Sequence, residues 1–123
     1  MRLKTLREIE IKVAYMKLHQ APFDKIKNKT KKIEMRLNDE KRQKLRIGEY
    51  ILFTNSITNE SIKCKIKNIT KYPSFKELYE NYDLVSLGYD EGETGTYHDM
   101  EAYYSLSDIE KYGVLAIEIE ALE

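Results

Sequence analysis

Cysteine is almost absent from this chain: Cys64 is the single thiol among 123 residues. One cysteine permits neither an internal disulfide nor a four-cysteine zinc site. In "SIKCKIKNI" it shares a strand face with Ile62 and Ile66, the setting of a buried, inert thiol. Histidine is nearly as scarce. His19 and His98 lie far apart and there is no HExxH, so no metal centre is expected. No GxGxxG, GxxxxGK[ST] or GxSxG occurs, which removes the nucleotide-loop and serine-nucleophile signatures, and no cofactor is expected. No apolar run approaches the roughly 18 to 20 residues that cross a bilayer. The opening "MRLKTLREIEIKVAYMKL" is broken by charge throughout, unlike a secretory signal. The expectation is a cytoplasmic protein with no membrane attachment.

What is present is charge, unevenly placed. The net charge is zero, yet residues 1–71 hold 19 Lys and Arg against 8 Asp and Glu, a balance of +11. Residues 72–123 hold 2 against 13, a balance of −11. Two explanations are open: a local positive field that attracts phosphates, or two halves that neutralise each other by packing together. The length and the apolar fraction of 41% suit one globular domain over residues 1–123.

Alternation in "IEIKVAYMKLHQ" predicts a strand near residues 9–19. Ile9, Ile11, Val13 and Tyr15 share one side, and the parity change at Tyr15-Met16 predicts a bulge. "APFDKIKNK" predicts a short helix with Pro22 in its first turn and Phe23 and Ile26 inward. "KKIEMRL", "IGEYILFTN" and "SIKCKIKNITKY" predict strands. "NDEKRQKL" is a polar connection with one helical turn, and "NSITNE" is a hairpin loop. Pro73 ends the fourth strand, and "SFKELYENY" follows as a helix with Ser74 as N-cap and Glu77 in a capping-box position. From Leu84 to Ser105 a long loop is expected, then a helix from about His98. "SLSDIEKYG" is a helix capped by Ser107 and ended by Gly113, and "VLAIEIEAL" is a closing strand. With no long crossover helices, the order predicts an α+β fold, a small mixed β-barrel with short helices packed at its openings.

The most cationic stretch, Lys29 to Arg36, is the candidate site. Alternation puts Ile33, Met35 and Leu37 toward the core and Lys32, Glu34 and Arg36 away from it. Lys31, at the strand's beginning, can reach a barrel mouth. There it would bind phosphate as a point charge or, partly desolvated, serve as a base. Glu34 beside Arg36 can orient a basic side chain or accept a hydrogen bond from a base edge. The plainer explanation is a solvated edge strand. Eight of the ten tyrosines fall after residue 71, among them Tyr97, Tyr103 and Tyr104. Such tyrosines either stack on unpaired bases or pack a core or lid. The acids around them, Asp90, Glu91, Glu93, Asp99 and Glu101, point to a half that covers a pocket while the basic half meets the polyanion.

Lys29-x-Lys31-x-x-Glu34-x-Arg36 resembles the GxKxxExR signature of the ASCH (activating-signal-cointegrator homology) family, with Lys29 where glycine is usual. "RIGEYILF" is similar to the family's next element, and "YYSLSDIEKYGVLAIEIE" to the end of many small bacterial members. Together the matches run from about Met16 to Leu122. The resemblance implies a PUA-like barrel with a cleft lined by the signature residues, and an RNA-related role. One branch consists of small amidohydrolases that deacetylate N4-acetylcytidine, in which a lysine matching Lys31 acts with a hydroxyl residue and a glutamate. The hydroxyl position is Glu34 in this chain. Ribonuclease activity is also associated with some members.

Three functions follow as expectations. The first is an RNA- or nucleotide-binding module, with Lys17, Lys29, Lys31 and Arg36 on phosphates. In it Glu34 and a tyrosine from Tyr97, Tyr103 and Tyr104 select the base. The second is a hydrolase acting on a modified nucleoside or RNA, with Lys31 as the base that activates water and Glu34 to hold or protonate, or Glu91 or Glu93 to supply the acid from the loop. The third is a protein-interaction domain whose basic half docks on an acidic partner.

Overall fold

A computed structural model describes residues 12–122. Five strands form one curled sheet: β1 Val13–Leu18, β2 Ile33–Leu37, β3 Tyr50–Asn55, β4 Ser61–Tyr72 and β5 Val114–Ala121, in the spatial order β1-β3-β4-β5-β2. β1 and β3 run parallel and all other pairs are antiparallel, so the sheet is mixed, as expected. Four short helices complete the fold: α1 Gln20–Lys27, α2 Phe75–Tyr79, α3 Leu84–Leu87 and α4 Leu106–Tyr112. Two 3₁₀ segments, Arg42–Lys44 and Tyr97–Ala102, join them.

The curl separates two cores. Inside it, Phe23 and Ile26 of α1 meet Ile51 and Phe53 of β3, Ile62, Cys64 and Ile66 of β4, and Leu115 and Ile117 of β5. On the convex side, α2, α3, α4 and the second 3₁₀ segment bury Phe75, Leu78, Leu87, Ile109 and Met100. They pack there on Ile33, Met35 and Leu37 of β2 and on Val114 and Ala116 of β5. Each fully buried Leu, Ile or Phe contributes roughly 1.5 to 3 kcal/mol. β5 serves both cores over "VLAI" and only the inner one over "EIEA", where Glu118 and Glu120 are exposed. That explains why its first half is continuously apolar and its second half alternates.

Several local expectations change. β1 pairs residue for residue with β3 from Val13 to Leu18, with no bulge. Its inward side chains are Met16 and Leu18, and Tyr15 is 67% exposed. Strand β1 carries a single parity, the opposite of the one Val13 and Tyr15 suggest. The Ile9 and Ile11 part of the reading lies outside the described residues. A bulge does occur, in β4 between Ile66 and Asn68. The extra residue lets both Ile66 and Ile69 face the inner core. The long loop expected from Leu84 contains α3, capped by the Asp83 side chain and closed by Gly88. Helix α4 is capped by Ser105, whose side chain accepts from the Asp108 N–H, and not by Ser107. Ser74 does cap α2.

Gly113, between α4 and β5, has φ 71° and ψ −172°, a region that is essentially glycine-only. A Cβ there would sit 3.0 Å from the Tyr72 carbonyl oxygen. Gly113→Ala is expected to destabilise the protein by about 1 to 3 kcal/mol. In urea unfolding this shows as a lower midpoint with an unchanged slope.

Candidate functional site

β1 and β2 are the two edges of the sheet, and the curl brings them to face each other across a cleft of about 760 Å³. α1 and the segment from Leu87 to Tyr104 line its other walls. The chain enters β2 through a turn. Lys29 takes φ 70°, and Thr30 and Lys31 both donate backbone N–H groups to the Lys25 carbonyl at 3.0 Å. The left-handed φ at Lys29 gives the physical reason glycine suits that position. The turn delivers Lys31 to the start of the edge strand, beside the end of α3.

In the β2–β5 register, Glu34 pairs with Ile117 and Arg36 with Leu115. Glu34 and Arg36 therefore point to the concave side, like the inner core, and not to solvent. Ile33, Met35 and Leu37 do reach a core, but the convex one. The solvated-edge explanation fails for this strand because helices cover one face and the curl encloses the other. Lys31 is 6% exposed and Glu34 is 4% exposed; Arg36 is partly buried.

These three side chains form one network. Arg36 donates from Nε and Nη2 to Glu34 Oε2 at 2.9 and 2.7 Å. Nη2 also donates to the Lys17 carbonyl of β1 at 3.2 Å, so a side chain links the edges where no backbone ladder exists. Lys31 Nζ donates to the Leu87 carbonyl at 2.7 Å and lies 3.5 Å from Glu34 Oε1. Burial pulls the Lys31 ammonium below the usual lysine range. Glu34 works against that pull, and Arg36 and Lys25 add to it. Burial acts to lower the Arg36 guanidinium too, but the charge and hydrogen bonds of Glu34 prevail and hold it above its ordinary value. Burial also raises the Tyr104 hydroxyl, against the nearby Arg36 charge.

Of the residues singled out in the sequence, Lys17, Lys31, Glu34, Arg36, Tyr103 and Tyr104 line the cleft. Lys29 is exposed on the turn and Tyr97 leans on His98, tilted by 32° with ring centroids 4.2 Å apart; neither lines it. Glu93 lines the cleft and Glu91 does not. Tyr104 is held flat against Phe75, ring centroids 5.8 Å apart, while Tyr103 is 66% exposed.

Sequence reasoning missed Lys25, His19, Tyr89 and the cleft-lining role of Asp90. Lys25 Nζ donates to the Gly88 carbonyl at 2.7 Å and pairs with Asp90 at 3.0 Å. Tyr89 reaches Asp99 Oδ2 at 2.7 Å and the Tyr79 hydroxyl at 2.8 Å. This ties the acidic segment down beside the cleft. Gly95 makes room for it, since a Cβ there would fall 2.2 Å from the Tyr89 ring. No spacing rule marks these residues, because helix and loop meet only in the fold. The Lys25–Asp90 and Lys67–Glu120 pairs join the basic half of the chain to the acidic half, so the halves do neutralise each other in places. The cleft keeps Lys17, Lys25, Lys31 and Arg36 against Glu34, Asp90 and Glu93. Among the described residues no group of three or more His, Cys, Asp or Glu could hold a metal ion, and no helix is long and apolar enough to cross a membrane.

A family model described as the ASCH domain matches residues 16–123. The crystal structure of the hypothetical protein PH0355, from Pyrococcus, is similar to this chain at 34% identity and a TM-score of 0.76, covering 90% of this chain and 100% of that one. The solution structure of protein PF0455 from Pyrococcus furiosus is also 34% identical, with a TM-score of 0.68 and coverage of 91% and 99%. No match to the chain is found among curated proteins. The neighbours support the α+β PUA-like fold expected from the sequence.

Below its folded pKa, protonated Lys31 bears the burial penalty. Between that depressed pKa and the ordinary lysine value near 10.4, the unfolded chain binds the extra proton. The contribution of Lys31 to stability therefore rises with pH across that window. A ¹³Cε NMR titration is expected to place the Lys31 midpoint below those of the exposed lysines. Glu34→Gln is expected to move it lower still, since the negative charge that opposes desolvation is gone. A Lys31 midpoint equal to that of the exposed lysines refutes this.

Proposed function

The chain belongs to the ASCH domain family, and from that premise we propose that it binds RNA or a nucleotide in the cleft between β1 and β2. One observation carries the reading: two buried or half-buried cations, Lys31 and Arg36, open with Lys17 onto a single hollow walled by Tyr89, Tyr103 and Tyr104. Its volume falls in the range of small-ligand sites, roughly 300 to 1,000 Å³. Phosphate is the group these cations suit, with Arg36 a guanidinium fixed in place by Glu34 and Lys17 a mobile point charge. Tyr103, exposed at the rim, offers a ring on which a base can stack. The buried Glu34 holds Arg36 in place, and its carboxylate can accept from an exocyclic amine. Lys29 stands outside the cleft and takes the role of a turn residue, and Tyr97 that of a packing residue.

A second reading makes the same cleft hydrolytic, acting on a modified nucleoside such as N4-acetylcytidine. It is favoured by the lowered pKa of Lys31. A neutral Lys31 would take a proton from water as the oxygen adds to the amide carbon. The proton then passes to the departing exocyclic nitrogen, leaving acetate and cytidine. Glu34, or Glu93 across the cleft, would hold the amide in place while Lys31 carries the proton.

Titration with a short single-stranded RNA at several salt concentrations tests the binding reading. Affinity is expected to fall with salt at a slope of about −0.7 per phosphate contacted. Lys17→Ala is expected to reduce that slope by about 0.7, and Tyr103→Ala to weaken binding about fivefold or more. Affinity indifferent both to salt and to Lys17→Ala would sink it. For the hydrolytic reading, release of acetate from N4-acetylcytidine is the assay, and Lys31→Ala is expected to abolish it; a folded variant that keeps its rate removes Lys31 from the chemistry.

A further inference from the structure

The convex face of the sheet is covered over only part of its width. Helices α2 to α4 pack on β2, on the start of β5 and on the end of β4 near Tyr72. The other part, built from β1, β3 and the first half of β4, contributes no outward side chain to either core among the described residues. The strand register places two rows there. Tyr15 of β1 stands beside Leu52 of β3 and Lys63 of β4, and in the next row Tyr50 of β3 stands beside Lys65.

The composition of these rows is unlike that of a merely solvated face. Tyr15 is 67% exposed, next to a half-buried Leu52, and the Lys63 ammonium sits 4.6 Å from the centroid of the Tyr50 ring. Lys17 lies two residues beyond Tyr15 on the same face of the edge strand, and it also lines the cleft. Among the described residues, β5 borders this surface with Glu120, which stands beside Lys65 in the register and pairs with Lys67 at 3.6 Å. An exposed ring with lysines beside it matches a flexible polyanion that carries aromatic faces. Stacking holds the bases and the ammonium groups meet the phosphates. In a duplex the bases are stacked on each other and shield those faces.

We propose that this face is a second contact surface for a single-stranded polynucleotide, continuous with the cleft through Lys17. It rests on the nucleotide reading of the cleft for that continuity. One nucleotide occupies the cleft, and its neighbours cross β1, where a base stacks on Tyr15 against Leu52. The following phosphates lie over Lys63 and Lys65. The distance from β1 to β4 is about 10 Å, so the face adds a few nucleotides to the footprint. The ligand is then a strand of several residues, and a free nucleotide fills only part of the surface.

Binding of a ten-nucleotide RNA, a ten-nucleotide DNA and CMP to the full chain tests this. Tyr15→Ala is expected to weaken the RNA decamer at least about fivefold and to leave CMP unchanged, with Tyr15→Phe restoring the decamer. Lys63→Ala/Lys65→Ala is expected to reduce the salt slope for the decamer by about 1.4. Equal RNA and DNA affinities support contact through bases and phosphates alone; a preference for RNA supports the same path with the 2′-hydroxyl read as well. Decamer binding indifferent to both variants overturns the proposal, and CMP binding retained in that case shows that the cleft reading stands without it. Loss of decamer affinity in the face variants with no CMP binding at all removes the cleft and keeps the face. A protein that binds no decamer at low salt but self-associates in sedimentation overturns it too, and marks the face as a contact between copies.

Discussion

The bond between Arg36 and Glu34 holds the rest of the site in place. The sheet is open, and its two edge strands approach each other without a hydrogen-bonded ladder. Arg36 spans the gap from β2 to the Lys17 carbonyl of β1 and is steered there by two bonds to Glu34. A charge on the concave side of a β-sheet is tolerable only if paired, since taking an isolated ion out of water costs several kcal/mol. Glu34 meets that need for Arg36 and for Lys31 at once. Two basic groups share that one carboxylate, and Lys17 and Lys25 stand with Asp90 and Glu93 around the same cleft.

A second layer fixes the opposite wall. Lys31 and Lys25 each grip a carbonyl at the end of α3, those of Leu87 and Gly88. Cations are favoured beside unsatisfied carbonyls at a helix end. The acidic segment that follows is anchored by Lys25 to Asp90 and by Tyr89 to Asp99 and Tyr79. The neutral net charge of the chain thus conceals a design in which acids from one half hold the edge of a cleft whose floor belongs to the other. Where the halves touch they cancel. At Arg36 the basic half still borders the hollow.

Much of the architecture was legible in the chain before its coordinates were. Five strands fall where alternation put them, because a half-buried strand must alternate. Pro73, Gly113 and Ser74 punctuate the elements as expected. The differences have separate causes. In β1 the alternation through Val13 and Tyr15 suggests one parity, but Met16 and Leu18 face the core and Tyr15 faces out. In β2 an edge position suggests a wet face, but helices cover one face and the curl encloses the other. The signature residues Lys31, Glu34 and Arg36 come together at one cleft, while Lys29, from the same signature, lies outside it on a turn with a left-handed φ.

By itself, then, the sequence determined the element order, the mixed α+β class, the family and the cationic cluster, since each depends on neighbours along the chain. Only the tertiary structure decided that Glu34 and Arg36 turn inward, that β1 faces β2, and that Lys25, Tyr89 and Asp90 belong to the same cleft. Residues 25 and 90 come together through the curl of the sheet and the docking of α3. Long-range closure of that kind leaves no period in the sequence for a local pattern to reveal.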